Sequence, residues 1–156
     1  MYSVIEIFNA DEKEKICRAV LADLPEWFGI PDATEEYCLG VRNKTFLAAV
    51  NGRQTVGFVS LHNHNEYTSE IHVIGIYKSF RNKGIGSLLI NSIVKLLSQQ
   101  KKQYLTVKTL DGSRESKAYE ETRKFYLAKG FIPLEVFPTL WGKENPCLFM
   151  IKKIEE

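Results

Sequence analysis

The stretch His72–Leu97, "HVIGIYKSFRNKGIGSLLINSIVKLL", changes its apolar period halfway. It begins as a short apolar run of strand type. From Ile85 onward the residues Ile85, Leu88, Leu89, Ile93, Leu96 and Leu97 recur at helical spacing. Between the two lies "RNKGIGS", with two glycines, two cations and an asparagine. A helix that starts directly after such a turn aims the free N–H groups of its first turn outward, at the positive end of the macrodipole. Gly84 and Gly86 carry no side chain to obstruct those donors, Arg81 and Lys83 add charge beside them, and Ser87 adds a hydroxyl. The junction predicts an anion site, and a pyrophosphate suits it.

Two common nucleotide loops are excluded as its owner. The pattern G-x-x-x-x-G-K-[ST] is absent, which argues against an NTPase. The dinucleotide fingerprint G-x-G-x-x-G/A fails at its last position, where Leu89 is bulky. The junction also lies mid-chain, after meandering strands, and does not open a βαβ unit.

The rest of the chain supplies those strands. "SVIEIF" (Ser3–Phe8) reads as a strand, and "NADEKEKICRAVLADL" as a helix capped by Asn9, with Ile16, Val20 and Leu24 at helical spacing. "PEWFGIPDA" is a turn-rich connection, and a short helix is expected around Thr34–Leu39. "TFLAAVN" and "QTVGFVSLHNH" flank Asn51-Gly52, a hairpin signal. Ser69–Tyr77 and Gln103–Leu110 are further strands, and "KAYEETRKFYLAKG" is a helix that ends at Gly130. "FIPLEVF" and "PCLFMIKKI" close the chain as two strands. The order βα(α)βββαβαββ predicts a mixed α/β (α+β) fold around one sheet, as a single domain over residues 1–156.

Net charge is +2, from 21 basic and 19 acidic residues, which gives no support to a nucleic-acid partner. The three cysteines, Cys17, Cys38 and Cys147, form no C-x-x-C and are expected as reduced thiols. No apolar run approaches the roughly 20 residues of a membrane span, and the N-terminus does not read as a signal peptide. A cytoplasmic protein without membrane association is the expectation.

Taken with its flanks, the glycine loop is more specific. "RNKGIG" has the form [RQ]-x-x-G-x-[GA] at a strand-to-helix junction, and "RKFYLAKGF" (Arg123–Phe131) ends a helix with F-Y-x-x-x-G-F before the next strand. The pair resembles the two signatures of the GCN5-related N-acetyltransferase (GNAT) family. The resemblance covers most of the chain and is firmest from Ser69 to Phe131. It implies a central, mostly antiparallel sheet of about seven strands with flanking helices, the fourth and fifth strands splayed apart at a bulge that Gly75 suits. It implies acetyl-CoA as cosubstrate, with the pyrophosphate on the backbone N–H groups of Asn82, Lys83, Gly84, Ile85, Gly86 and Ser87, aided by Arg81. Backbone groups of Ile74 and Ile76 would pair with the pantetheine arm as an added strand does. Many relatives carry an asparagine near the start of the last core helix that contacts the cofactor; here Tyr119 stands at about that place.

The implied reaction moves the acetyl group to a primary amine, of a small molecule or of a peptide or protein, by direct attack in a ternary complex. An alkyl amine near pKa 10.4 is neutral to the extent of about one molecule in a thousand at pH 7, so a proton must be taken up. Glu70 stands where the family often places its base carboxylate, but a carboxylate near 4.3 is a poor direct acceptor unless burial raises it, which favours a water-mediated route. Tyr126 aligns with the family tyrosine that protonates the departing thiolate; a phenol near 10 suits a thiol near 8.5. The backbone N–H of Ile74 or a neighbour would polarise the thioester carbonyl. His72 reads as a relay or, more simply, as a hydrogen-bonded structural histidine. "HNHNE" (His62–Glu66) has metal-like H-x-H spacing but no supporting cluster, so no metal is expected. Trp27 and Phe28, and later Trp141 and Asn145–Cys147, fall in segments that border the acceptor in relatives, with Tyr37, Tyr67 and Glu36 as further hints. A homodimer is compatible with the family. Two other readings stay open: the same fold with another acyl donor or an O-acceptor, and a CoA-binding sensor without catalysis.

Overall fold

In the computed structural model, which describes residues 1–155, the element order is the one expected. Among these residues seven strands form one sheet in the order β1-β2-β3-β4-β5-β7-β6. The chain divides into two compact units, Met1–His62 with Ile71–Leu96, and Asn63–Glu70 with the chain from Leu97 onward.

In the first unit, β1 (Tyr2–Glu6) precedes α1 (Ala10–Ala22) and α2 (Pro31–Gly40), and β2 (Thr45–Asn51) pairs antiparallel with both β1 and β3 (Gln54–Asn63). The Asn9 carboxamide oxygen accepts from the Glu12 N–H at 2.9 Å and so caps α1, a contact worth about 1 kcal/mol. The buried residues of α1 are Lys13, Cys17, Val20 and Leu21, with Ile16 only at the margin, so of the expected set Val20 alone is buried within the helix and Leu24 is buried just beyond its end. Helix α2 is longer than the short helix expected, because Pro31 occupies its first turn, where a missing N–H costs nothing. The hairpin turns at Gly52, whose φ of +65° is open to glycine at little cost.

These helices pack on Phe46, Ala48, Val50 and Phe58 of the sheet, where the Phe46 and Phe58 rings stack 5.0 Å apart. Each fully buried Val, Leu or Phe in this layer contributes roughly 1.5–3 kcal/mol. In β4 (Thr68–Ile76), a Cβ on Gly75 would come within 2.9 Å of Val20 Cγ1 and 3.3 Å of Leu24 Cδ1, so α1 rests directly on that backbone. His72 turns to the same layer: its ring meets Tyr37 at 5.4 Å and Nδ1 bonds the Ser60 hydroxyl at 2.8 Å. Its neighbour Val73 joins the core cluster as well. Two adjacent residues facing one layer break strict alternation, as a β-bulge does.

In the second unit, the start of β4 is followed by β5 (Tyr104–Leu110), α4 (Lys117–Ala128), β6 (Ile132–Phe137) and β7 (Cys147–Lys153). Strand β7 pairs antiparallel with β5 and with β6. The Ser116 hydroxyl accepts from the Tyr119 N–H to cap α4, and the helix closes before Gly130. Strand β6 is the sheet's edge. Ile132, Leu134 and Val136 are exposed on it, and its register slips between Pro133 and Glu135. Helix α3 (Ile85–Gln99), which belongs to the first unit as far as Leu96, buries Ile85, Leu89, Ile90, Ile93 and Leu97, close to the stripe read from the sequence. None of the described helices is long and apolar enough to cross a membrane.

Candidate active site

The glycine loop is built by two residues of positive φ, Asn82 at +60° and Gly84 at +80°. Asparagine is among the few side chains that tolerate this region, and glycine has no Cβ to clash there. The first helical bond runs from the Leu88 N–H to the Gly84 carbonyl at 3.0 Å. The N–H groups of Ile85, Gly86 and Ser87 therefore find no acceptor within their own helix. A Cβ placed on Gly84 would meet nothing within 4 Å, so the space over this helix end is open. That donor set and that opening fit a pyrophosphate.

The chain leading into the loop is fastened to the end of α1 and the turn after it. The Lys78 N–H donates to Asp23 Oδ2 at 2.8 Å, and the Lys78 ammonium pairs with Glu26 at 2.7 Å. That bond is the chief reason the Glu26 carboxyl lies below the ordinary range. The Arg81 guanidinium lies over the Trp27 indole, 4.7 Å from its centroid, while Asn82, Lys83 and Gly84 are exposed. Trp27 and Phe28 are half-buried against the first unit's core, and Phe28 meets Tyr37 edge-on at 5.7 Å. His72 fits the hydrogen-bonded structural reading. On β4, Ile74 is half-buried between buried Val73 and Gly75, and Ile76 is half-buried at the strand's end.

Glu70, at the start of β4, is 8% exposed and accepts three side-chain hydrogen bonds. Its Oε1 accepts from Thr106 Oγ1 at 3.0 Å and bonds His64 Nε2 at 2.9 Å; its Oε2 accepts from the Lys108 ammonium at 2.7 Å. Burial pushes the Glu70 carboxyl up, but the bonds from Lys108, His64 and Thr106 with the Lys108 charge outweigh it, and the net shift is downward. Lys108 also lies 5.2 Å from the Phe149 ring centroid. Cys147 is fully buried nearby, and burial pushes its thiol up to about 11.

Tyr126, on the last turn of α4, is 4% exposed and packs edge-on to Phe131 at 5.4 Å, with Phe125 at 5.5 Å. Tyr119 is half-buried in the first turn of the same helix. Trp141 is largely exposed, and Asn145 bonds Arg114. Among the described residues no group of three or more His, Cys, Asp or Glu is arranged to hold a metal ion. The partners of Glu70 were not legible as a set. Lys108 had one signal, a lone cation inside the strand "YLTVKTL", and His64 had only its H-x-H spacing.

A family profile described as "Acetyltransferase (GNAT) domain" matches residues 42–133. No match was found among curated proteins. Among solved structures, the aminoglycoside 6'-N-acetyltransferase from Enterococcus faecium is 22% identical, with a TM-score of 0.75 over 100% of this chain and 98% of that one. The ribosomal-protein-S18-alanine N-acetyltransferase from Escherichia coli is 14% identical, with a TM-score of 0.73 over 100% and 96%. A GNAT family acetyltransferase from Elizabethkingia anophelis with acetyl-CoA bound is 14% identical, with a TM-score of 0.71 over 97% of each. At these identities the likeness is one of fold.

Proposed function

The chain belongs to the GNAT acetyltransferase family, and on that premise we propose that it moves the acetyl group of acetyl-CoA to a primary amine in a ternary complex. The observation that carries this reading is the loop from Arg81 to Ser87: two positive-φ residues, an open helix end and three N–H groups without helical acceptors, directly after an apolar strand. The acceptor is the amine of a small molecule or of a peptide. An aminoglycoside and a ribosomal protein are what two of the similar enzymes are named for.

The pyrophosphate sits on the N–H groups between Asn82 and Ser87, and Lys83 and Arg81 balance its charge. Backbone groups of Ile74 and Ile76 pair with the pantetheine arm, and an N–H of this strand polarises the thioester carbonyl. Tyr119 contacts the cofactor where many relatives carry asparagine. The amine attacks the carbonyl carbon, the C–S bond breaks, and the Tyr126 hydroxyl protonates the leaving sulfur. Glu70 serves as an ionised group: its lowered pKa and three hydrogen bonds suit it to work through an intermediary and not to take the amine's proton itself.

The test is an amine panel with acetyl-CoA, read as release of free thiol. Turnover on at least one primary amine is expected. Stoichiometric acetyl-CoA binding with no turnover on any amine refutes the transfer reaction in favour of a sensor.

A further inference from the structure

Thr106 and Lys108 stand two apart on β5 and so share one face of it, and both reach Glu70. An ionised carboxylate only accepts, with about two lone-pair positions on each oxygen. Oε1 uses both of its positions, one on the Thr106 hydroxyl at 3.0 Å and one on His64 Nε2 at 2.9 Å. Oε2 uses one, on the Lys108 ammonium at 2.7 Å. The oxygen with capacity for a further donor is therefore the one the ammonium holds. Lys108 is itself kept in place: Phe149 stands opposite it in the β5–β7 register, and its Nζ lies 5.2 Å from that ring's centroid. The Lys108 side chain is 27% exposed and that of Glu70 is 11%, so the pair is weakly screened and still within reach of solvent.

From this geometry we infer that Lys108 is a positioning residue of the transfer: it keeps Glu70 a carboxylate and fixes Oε2 as the acceptor for the water through which the amine loses its proton. This deepens the acetyl-transfer reading and rests on it. A buried carboxyl left to itself takes up a proton, and a protonated oxygen donates where the water needs an acceptor. Burial is the largest influence on Glu70 and pushes it up; the bond from Lys108 is the largest that opposes it, and the net shift is downward. The groups that bear on the carboxylate are Lys108 and Thr106 of β5, His64 of the β3–β4 turn and Cys147 of β7. Burial pushes the Cys147 thiol up to about 11, so it brings no charge at neutral pH.

In the step, a water donates one hydrogen to Glu70 Oε2 and turns its oxygen to the ammonium of the acceptor. One ammonium proton moves to that water, which passes a proton on to solvent. The amine lone pair forms the C–N bond at the thioester carbonyl. The C–S bond breaks, its electron pair leaves on sulfur, and the Tyr126 hydroxyl protonates it. The remaining excess proton on nitrogen restores the phenol. Glu70 stays ionised throughout and Lys108 gives up no proton, so both end the cycle as they began it.

The experiment uses whichever amine the thiol-release panel identifies and measures kcat/KM against pH for wild type, Lys108→Met, Lys108→Arg, Glu70→Gln and the double variant Lys108→Met/Glu70→Gln. Each variant is expressed as its ratio to wild type at the same pH, in which the amine's own titration cancels. The Lys108→Met ratio should fall toward acid by up to about tenfold per pH unit, because Glu70 then takes up a proton within the working range. Lys108→Arg should keep the ratio level, since a guanidinium holds a carboxylate as an ammonium does. Glu70→Gln should lower kcat about a hundredfold at a level ratio, and the double variant should show no acid fall. Carbon NMR of the Glu70 carboxyl follows the same titration without substrate. It should place the wild-type group below the ordinary value of about 4.3 and the Lys108→Met group above the wild-type one. An acid fall absent from Lys108→Met or retained in the double variant, a wild-type carboxyl at or above that ordinary value, or turnover within threefold of wild type in Glu70→Gln overturns the assignment while acetyl transfer stands. No thiol release with any amine overturns both.

Discussion

Replacing Lys108 by Met removes the ammonium 2.7 Å from Glu70 Oε2 and keeps most of the stem that lies against Phe149. Removing one partner of a fully buried ion pair costs about 3–5 kcal/mol, because the other charge stays behind. Here the Lys108 side chain is 27% exposed and the bonds from His64 and Thr106 remain, so about 2 kcal/mol is expected at pH 7. For a chain of this length that lowers Tm by roughly 4–8 °C. The pH dependence carries the sharper test. In the wild type the folded-state pKa of Glu70 is depressed, so its contribution is complete above the ordinary carboxylate value near 4.3 and is lost as pH falls through the folded value. In the variant burial still pushes the carboxyl up and its chief opponent is gone, so the group takes up a proton at a higher pH. The difference between the two proteins is therefore largest at neutral pH and shrinks toward pH 4. Urea unfolding at pH 7 and at pH 4.5, followed by tryptophan fluorescence, measures it. A loss below 0.5 kcal/mol at pH 7, or an equal loss at both pH values, refutes the reasoning.

Tyr126→Phe keeps the ring packed on Phe131 and removes only the hydroxyl, so turnover should fall by about 10²-fold or more while acetyl-CoA affinity holds; unchanged turnover would remove Tyr126 from the chemistry. Gly84→Glu sets a carboxylate at the helix end and forces a side chain into φ +80°, and calorimetry should show acetyl-CoA binding abolished. Binding that survives there refutes the pyrophosphate site. Gly75→Ala puts a methyl 2.9 Å from Val20 Cγ1, and thermal unfolding should show a loss of about 1–3 kcal/mol; a variant as stable as wild type would mean that α1 does not rest on that backbone.

The fold was legible because its signals are local. The period change at Ile85, the Asn9 cap, the Asn51-Gly52 turn and the Gly130 stop each act within a few residues, and each lies where the pattern placed it. Helix α1 shows the limit. Cys17 and Leu21 share its buried face with Val20, and a cysteine reads poorly as an apolar marker until its burial is seen. The candidate site was half legible for the same reason. The glycine loop is contiguous, but the bonds of Glu70 to Thr106 and Lys108 span 36 and 38 residues, and nothing local links them. Burial alone would have raised that carboxyl, the condition under which it becomes a direct acceptor; Lys108, His64 and Thr106 reverse the direction.

The outermost strand has a consequence for how copies of the protein behave when crowded. An edge with Ile132, Leu134 and Val136 in the open is the kind of surface on which sheets of separate molecules grow into fibres. Pro133 lacks the hydrogen such growth needs, and the one-residue slip beside it puts the next residues out of phase with any straight strand that approaches. At the sheet's edge β6 carries no buried side chain, so its amides should be among the first to exchange with deuterium. Colloidal safety and local looseness meet here in one strand at the rim.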